Sequence, residues 1–100
     1  MKRAADTLFL LATFSIRTGQ TDKAMHYAEM GSKLFPADPR QIEVQAYTLL
    51  LQGRFEEAEQ ILSVSDASTR NLEYLRSRTS IILDMPKAER QARMRRYLAY

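Results

Sequence analysis

A chain of 100 residues with 45% hydrophobic and 27% charged side chains has material for one globular core and none for a second. Its 3 glycines and 3 prolines are too few for a turn-rich β architecture. With no cysteine and 1 histidine, a disulfide framework, a thiolate metal site and a paired-imidazole metal site are all excluded. The net charge of +3 is unevenly spread, acids dominating residues 37–70 and bases dominating residues 71–100.

At the N-terminal end, Lys2 and Arg3 precede the apolar run Leu8 to Phe14, the order of charges and apolar residues found in secretory signal peptides. Asp6 interrupts the approach, no small-x-small cleavage site follows, and Ile16-Arg17 continue a helical pattern. The run is also shorter than the ~20 residues that span a bilayer. A cytoplasmic, soluble protein without a transmembrane segment is the expectation. This first helix is apolar nearly all round, more than one buried stripe requires.

Gly19 breaks the first helix, and Ala24 and Ala28 set small residues along one face of the second. Pro36 stops that helix. Asp38-Pro39 then restart the chain with a capping acid before a proline at the first helical position, with Gln41 placed to complete a capping-box-like start. The pattern then recurs through Ile42, Ala46, Leu49, Gly53, Phe55, Ala58 and Leu62, with Gln45 and Arg70 departing from it. Gly19 and Gly53 stand 34 residues apart, which divides the chain into units 5–38 and 39–72. Glu56, Glu57 and Glu59 open the helix after Gly53, where acids complement the helix dipole.

Ser63 to Asn71 reads as a polar connection with a helix starting near Ser68. Leu72, Leu75, Thr79, Ile82 and Leu83 form a helical stripe, and Pro86 opens a last helix whose inner face is Ala88, Ala92, Tyr97 and Leu98. Lys87 stands 34 residues after Gly53, where the turn glycine is expected, so residues 73–100 read as an atypical capping unit. A third unit is required because such a repeat cannot bury its apolar face alone.

The period of 34, the small residues at Ala12, Ala24, Ala46 and Ala58, and the glycines between paired helices resemble the tetratricopeptide-repeat family. The resemblance implies an all-α, single domain over residues 1–100, with about three helix pairs stacked in a right-handed superhelix. In that family the first helix of each pair lines a concave groove. Carried over by position, the groove is formed by Phe9, Thr13, Ile16 and Arg17, by Glu43, Tyr47, Leu50 and Leu51, and by Tyr74, Ser77 and Ile81. Tyr47, Leu50 and Leu51 are the foremost candidates for gripping an amphipathic helix at its i, i+3, i+4 and i+7 positions.

The stretch from Leu8-Phe9-Leu10-Leu11-Ala12 through Gly19-Gln20-Thr21-Asp22-Lys23-Ala24 to Leu34-Phe35-Pro36 resembles the small tetratricopeptide chaperones of bacterial type III secretion systems. That resemblance implies a bacterial cytoplasmic chaperone, acting alongside a second small co-chaperone. It would keep a helical export substrate, such as a needle subunit, soluble until export. A scaffold or assembly factor joining subunits of another complex is the alternative, and a nucleic-acid-binding accessory a third.

Enzymatic chemistry has no visible constellation. There is no thiol nucleophile, His26 has only Glu29 at helical spacing, and Gly31-Ser32-Lys33 lacks the glycine spacing of a phosphate loop. No catalytic residue, cofactor, metal or small-molecule substrate is therefore expected. Lys87, Arg90, Arg93, Arg95 and Arg96 oppose only Glu89, and read as a solvated helix face, since no aromatic platform for nucleic acid is interleaved. The methionines at 1, 25, 30, 85 and 94 read mainly as core filler.

Overall fold

The computed structural model describes residues 2–100, so Met1 lies outside the described residues. The chain folds as α1 (Lys2–Arg17), α2 (Thr21–Leu34), α3 (Pro39–Leu51), α4 (Phe55–Val64), α5 (Arg70–Ile82) and α6 (Lys87–Leu98), with no strand among the described residues. Local chemistry sets the boundaries. The Asp38 carboxylate accepts the Arg40 N–H at 3.1 Å, with Pro39 as the first residue of α3. Thr69 Oγ1 accepts the Leu72 N–H at 3.1 Å to start α5, one residue after the expected region of Ser68.

The turns within the three helix pairs are closed in one way. The Gly19 N–H reaches the Ile16 carbonyl at 3.0 Å and the Gln20 N–H the Ser15 carbonyl at 2.7 Å. Gly53 and Arg54 repeat this with Leu50 and Leu49, at 3.1 and 2.9 Å, and Asp84 and Met85 with Ile81 and Ser80, at 3.1 and 3.0 Å. This is the Schellman arrangement, which needs a left-handed residue after the helix. Gly19 (φ 76°) and Gly53 (φ 74°) take that conformation, and so does Asp84 (φ 51°), a residue type that tolerates it. The third turn is thus centred on Asp84, and Lys87 is the first residue of α6, contrary to the spacing argument. Ala12, Ala46 and Ser77 each stand seven residues before a turn residue, and all three are buried.

Each helix packs on its neighbour in sequence; in addition α1 touches α3, and α3 touches α5. Three small apolar clusters result. Ala12, Ala28 and Val44 join α1, α2 and α3, with Phe9, Ile16 and Tyr27 against them. Met25, Leu49 and Ala58 join α2, α3 and α4. Ala46, Leu62, Leu72 and Leu75 join α3, α4 and α5. The small residues allow the helices to approach, and the clusters run along a body measuring 40 × 26 × 19 Å, with a radius of gyration of 13.4 Å.

Gln41 is fully buried and makes no capping box; its Nε2 donates to the Ala5 carbonyl at 3.1 Å, tying α3 to α1. Its side chain fills the space left by the missing Cβ of Gly31, on α2. Here glycine is required by a close approach rather than by a turn.

The last pair is held by charge. No residue of α6 is fully buried, and Ala88 and Leu98, expected on its inner face, are exposed. Arg93 provides the attachment. Its guanidinium donates to both Glu59 oxygens at 2.7 Å, to Glu89 at 2.8 Å and to the Arg76 carbonyl at 3.0 Å. Arg93 is therefore no solvated base, and Glu59 lies past the first turn of α4 in a pair with side-chain exposures of 11% and 17%. Arg76 completes the cluster with Glu73 at 2.9 Å and with the carbonyls of Leu62, Ser65 and Ala67. These residues enclose a polar depression of about 340 Å³ between α4, α5 and α6. No helix among the described residues is long and apolar enough to cross a membrane.

Candidate binding groove

The pairing of helices leaves α1, α3 and α5 adjacent, and a second depression of about 480 Å³ opens where they meet. Phe9, Thr13, Ile16 and Arg17 line it from α1, Glu43, Val44 and Tyr47 from α3, and Asn71, Tyr74 and Leu75 from α5. Helical spacing explains the set. Phe9, Thr13 and Ile16, Glu43 and Tyr47, and Asn71 and Tyr74 recur at intervals of three or four residues, which places each group on one helix face.

Of the residues expected from position, Phe9, Thr13, Ile16, Arg17, Glu43, Tyr47 and Tyr74 meet in this depression. Leu50, Leu51 and Ile81 do not line it. Leu50 is half-buried between the α2–α3–α4 and α3–α4–α5 clusters, because three positions after Tyr47 it falls about 60° short of a full turn, on the core side of that stripe. Leu51 lies one turn beyond Tyr47 and Ile81 two turns beyond Tyr74, both about half exposed. Ser77 is turned away; it is buried at the close crossing of α5 with α6, its Oγ 4.0 Å from Met94 Sδ. Val44, Asn71 and Leu75 were not expected, although extending the Tyr74 face back one turn reaches Asn71.

Polar contacts fix the walls. Glu43 accepts from Thr69 at 3.0 Å and from Asn71 at 2.9 Å, so both carboxylate oxygens hold the start of α5 against α3. Tyr74 stacks edge-on with Tyr97 of α6, ring centres 5.5 Å apart, and the Arg70 guanidinium lies 6.0 Å from the Tyr97 ring. The Arg93 anchor of α6 therefore also supports the Tyr74 wall. At the other side, Arg40 pairs with Asp6 at 2.7 Å and Asp38 at 2.8 Å while its guanidinium covers the Phe9 ring at 4.9 Å. The Arg40 hydrogen bond holds the Asp38 carboxyl below its usual range, and the Asp38 and Asp6 bonds raise Arg40.

Tyr47 is 45% exposed and Tyr74 44% exposed, so the depression presents aromatic surface that the fold itself leaves uncovered. On an adjacent strip of α1, Leu10 (63%) and Phe14 (64%) are exposed too. No family model, no curated protein and no solved structure matches the chain.

Proposed function

We propose that the chain is a tetratricopeptide-type chaperone that receives an amphipathic helix of a partner protein in the groove formed by α1, α3 and α5. The observation that carries this reading is the convergence of Phe9, Ile16, Tyr47 and Tyr74 from three successive odd-numbered helices into one open apolar trough. Contiguous apolar surface of this kind marks a recognition site in soluble proteins, and an amphipathic helix meets such a trough with side chains one turn apart. Leu51 and Ile81 extend the same helix faces beyond the depression, which suits a partner several turns long.

The sequence resemblance makes the partner a type III secretion needle subunit or another early export substrate, kept monomeric in the bacterial cytoplasm until export. Exposed Leu10 and Phe14 then offer the surface for a second small co-chaperone. The test is affinity co-purification from a bacterial host with such a system, comparing the native chain with Tyr47→Glu/Tyr74→Glu. Both tyrosines are surface residues, so the variant keeps its helical circular dichroism. Recovery of a small helical export substrate by the native chain alone supports the reading. Equal recovery by both refutes the groove assignment, and recovery of subunits of an unrelated complex favours a scaffold.

A further inference from the structure

We propose that the helix received in the groove is acidic, with carboxylates flanking its apolar stripe that pair with Arg17 and Arg78; this rests on the groove reading above. Four of the eleven arginines are satisfied internally by close ion pairs. Arg40, Arg54, Arg76 and Arg93 each hold a carboxylate within 3 Å. Arg17 and Arg78 hold none among the described residues, and both are exposed.

Their positions are the informative feature. Arg17 lines the depression at the C-terminal end of α1, and Arg78 lies one turn beyond Tyr74 on the same face of α5. A guanidinium that holds no carboxylate among the described residues thus stands in the α1 wall of the trough, and another stands one turn beyond its α5 wall. The one acid in its lining, Glu43, already spends both oxygens on Thr69 and Asn71. A basic partner would meet two guanidinium groups against the single Glu43 carboxylate, whereas an acidic one can form two bidentate pairs across the rim.

The test uses three synthetic 18-residue helices with one Leu/Phe/Ile stripe and flanking positions filled by Glu, Gln or Lys, titrated by fluorescence anisotropy at low and high salt. Two exposed pairs predict that the Glu peptide binds about 3- to 30-fold tighter than the Gln peptide, and the Lys peptide weaker still. Arg17→Glu/Arg78→Glu should invert that order, the Lys peptide then binding tighter than the Glu peptide, and added salt should compress it. Equal binding of all three peptides, abolished by Tyr47→Glu, overturns the charge assignment and leaves the groove standing. Binding that Tyr47→Glu does not weaken overturns both. A native chain that sediments as a dimer, and as a monomer after Tyr47→Glu, would make a second copy the occupant and overturn the acidic-helix assignment.

Discussion

Replacing Arg93 with methionine keeps much of the side-chain volume and removes the three hydrogen bonds, two to Glu59 and one to the Arg76 carbonyl, that fasten α6 to α4 and α5. Glu59 would then remain five-sixths buried with only the Ser63 hydroxyl, 2.7 Å away, as a partner. Removing one member of a buried pair costs about 3–5 kcal/mol, chiefly through the stranded charge. Glu59 stands at the edge of a polar depression that water enters once α6 shifts, so the lower end, about 3 kcal/mol, is expected. That is a large share of the ~5–15 kcal/mol that holds a domain of this size together, and it lowers the melting temperature by about 12 °C or more. Urea unfolding followed by far-ultraviolet circular dichroism reads the loss, and amide exchange locates it in α6. Glu59→Met added to Arg93→Met should return most of the stability, because no charge is then left unpaired. If Arg93→Met unfolds within about 0.5 kcal/mol of the native chain, Arg93 is a surface base and the account of α6 is wrong.

Gly31→Ala gains helix propensity but drives a methyl into the buried Gln41 side chain, so a net loss of about 1–3 kcal/mol in urea unfolding is expected, and a gain would refute the close packing. Asp84→Gly removes the left-handed penalty at the third turn and should stabilise by about 1 kcal/mol, while Gly19→Ala should cost about as much; equal melting temperatures would count against the shared turn geometry. Acid should weaken the fold through Asp38 and Glu59. The Arg40 hydrogen bond lowers Asp38 from its ordinary 3.8; burial pushes Glu59 up, and the bonds from Arg93 and Ser63 together overcome this and leave it below its ordinary 4.5. The unfolded chain therefore binds protons more readily than the folded one. The stabilisation is complete above the ordinary values and is lost as pH falls through the folded ones. The urea midpoint should hold from neutral pH to about 5 and then drop, less steeply in Glu59→Gln; a flat profile to pH 3 would contradict it.

Groove residues were legible where the positions implied by the repeat resemblance fall on the faces that α1, α3 and α5 turn to one another. Phe9, Thr13, Ile16, Arg17, Glu43, Tyr47 and Tyr74, expected on that ground, line the depression. Leu50 and Ser77 do not, because each lies three positions after a groove tyrosine at the edge of its stripe, about 60° round the helix, where the packing of α4 and α6 covers it. Tyr97 as a prop for Tyr74 joins residues 23 apart in the chain, on antiparallel helices, and no local pattern announces it.

The sequence by itself determined the helices, the cap at Asp38, and the glycine turns at Gly19 and Gly53, because each depends on residues within one turn of helix. Tertiary structure alone decided the third turn, where Asp84 takes a glycine's conformation, and the roles of Gln41 and Gly31, which fit each other across two helices. It also decided that Arg93 and Glu59, 34 residues apart, form an anchor rather than two solvated faces. A charge cannot be read as free or paired until the chain has brought its partner to it.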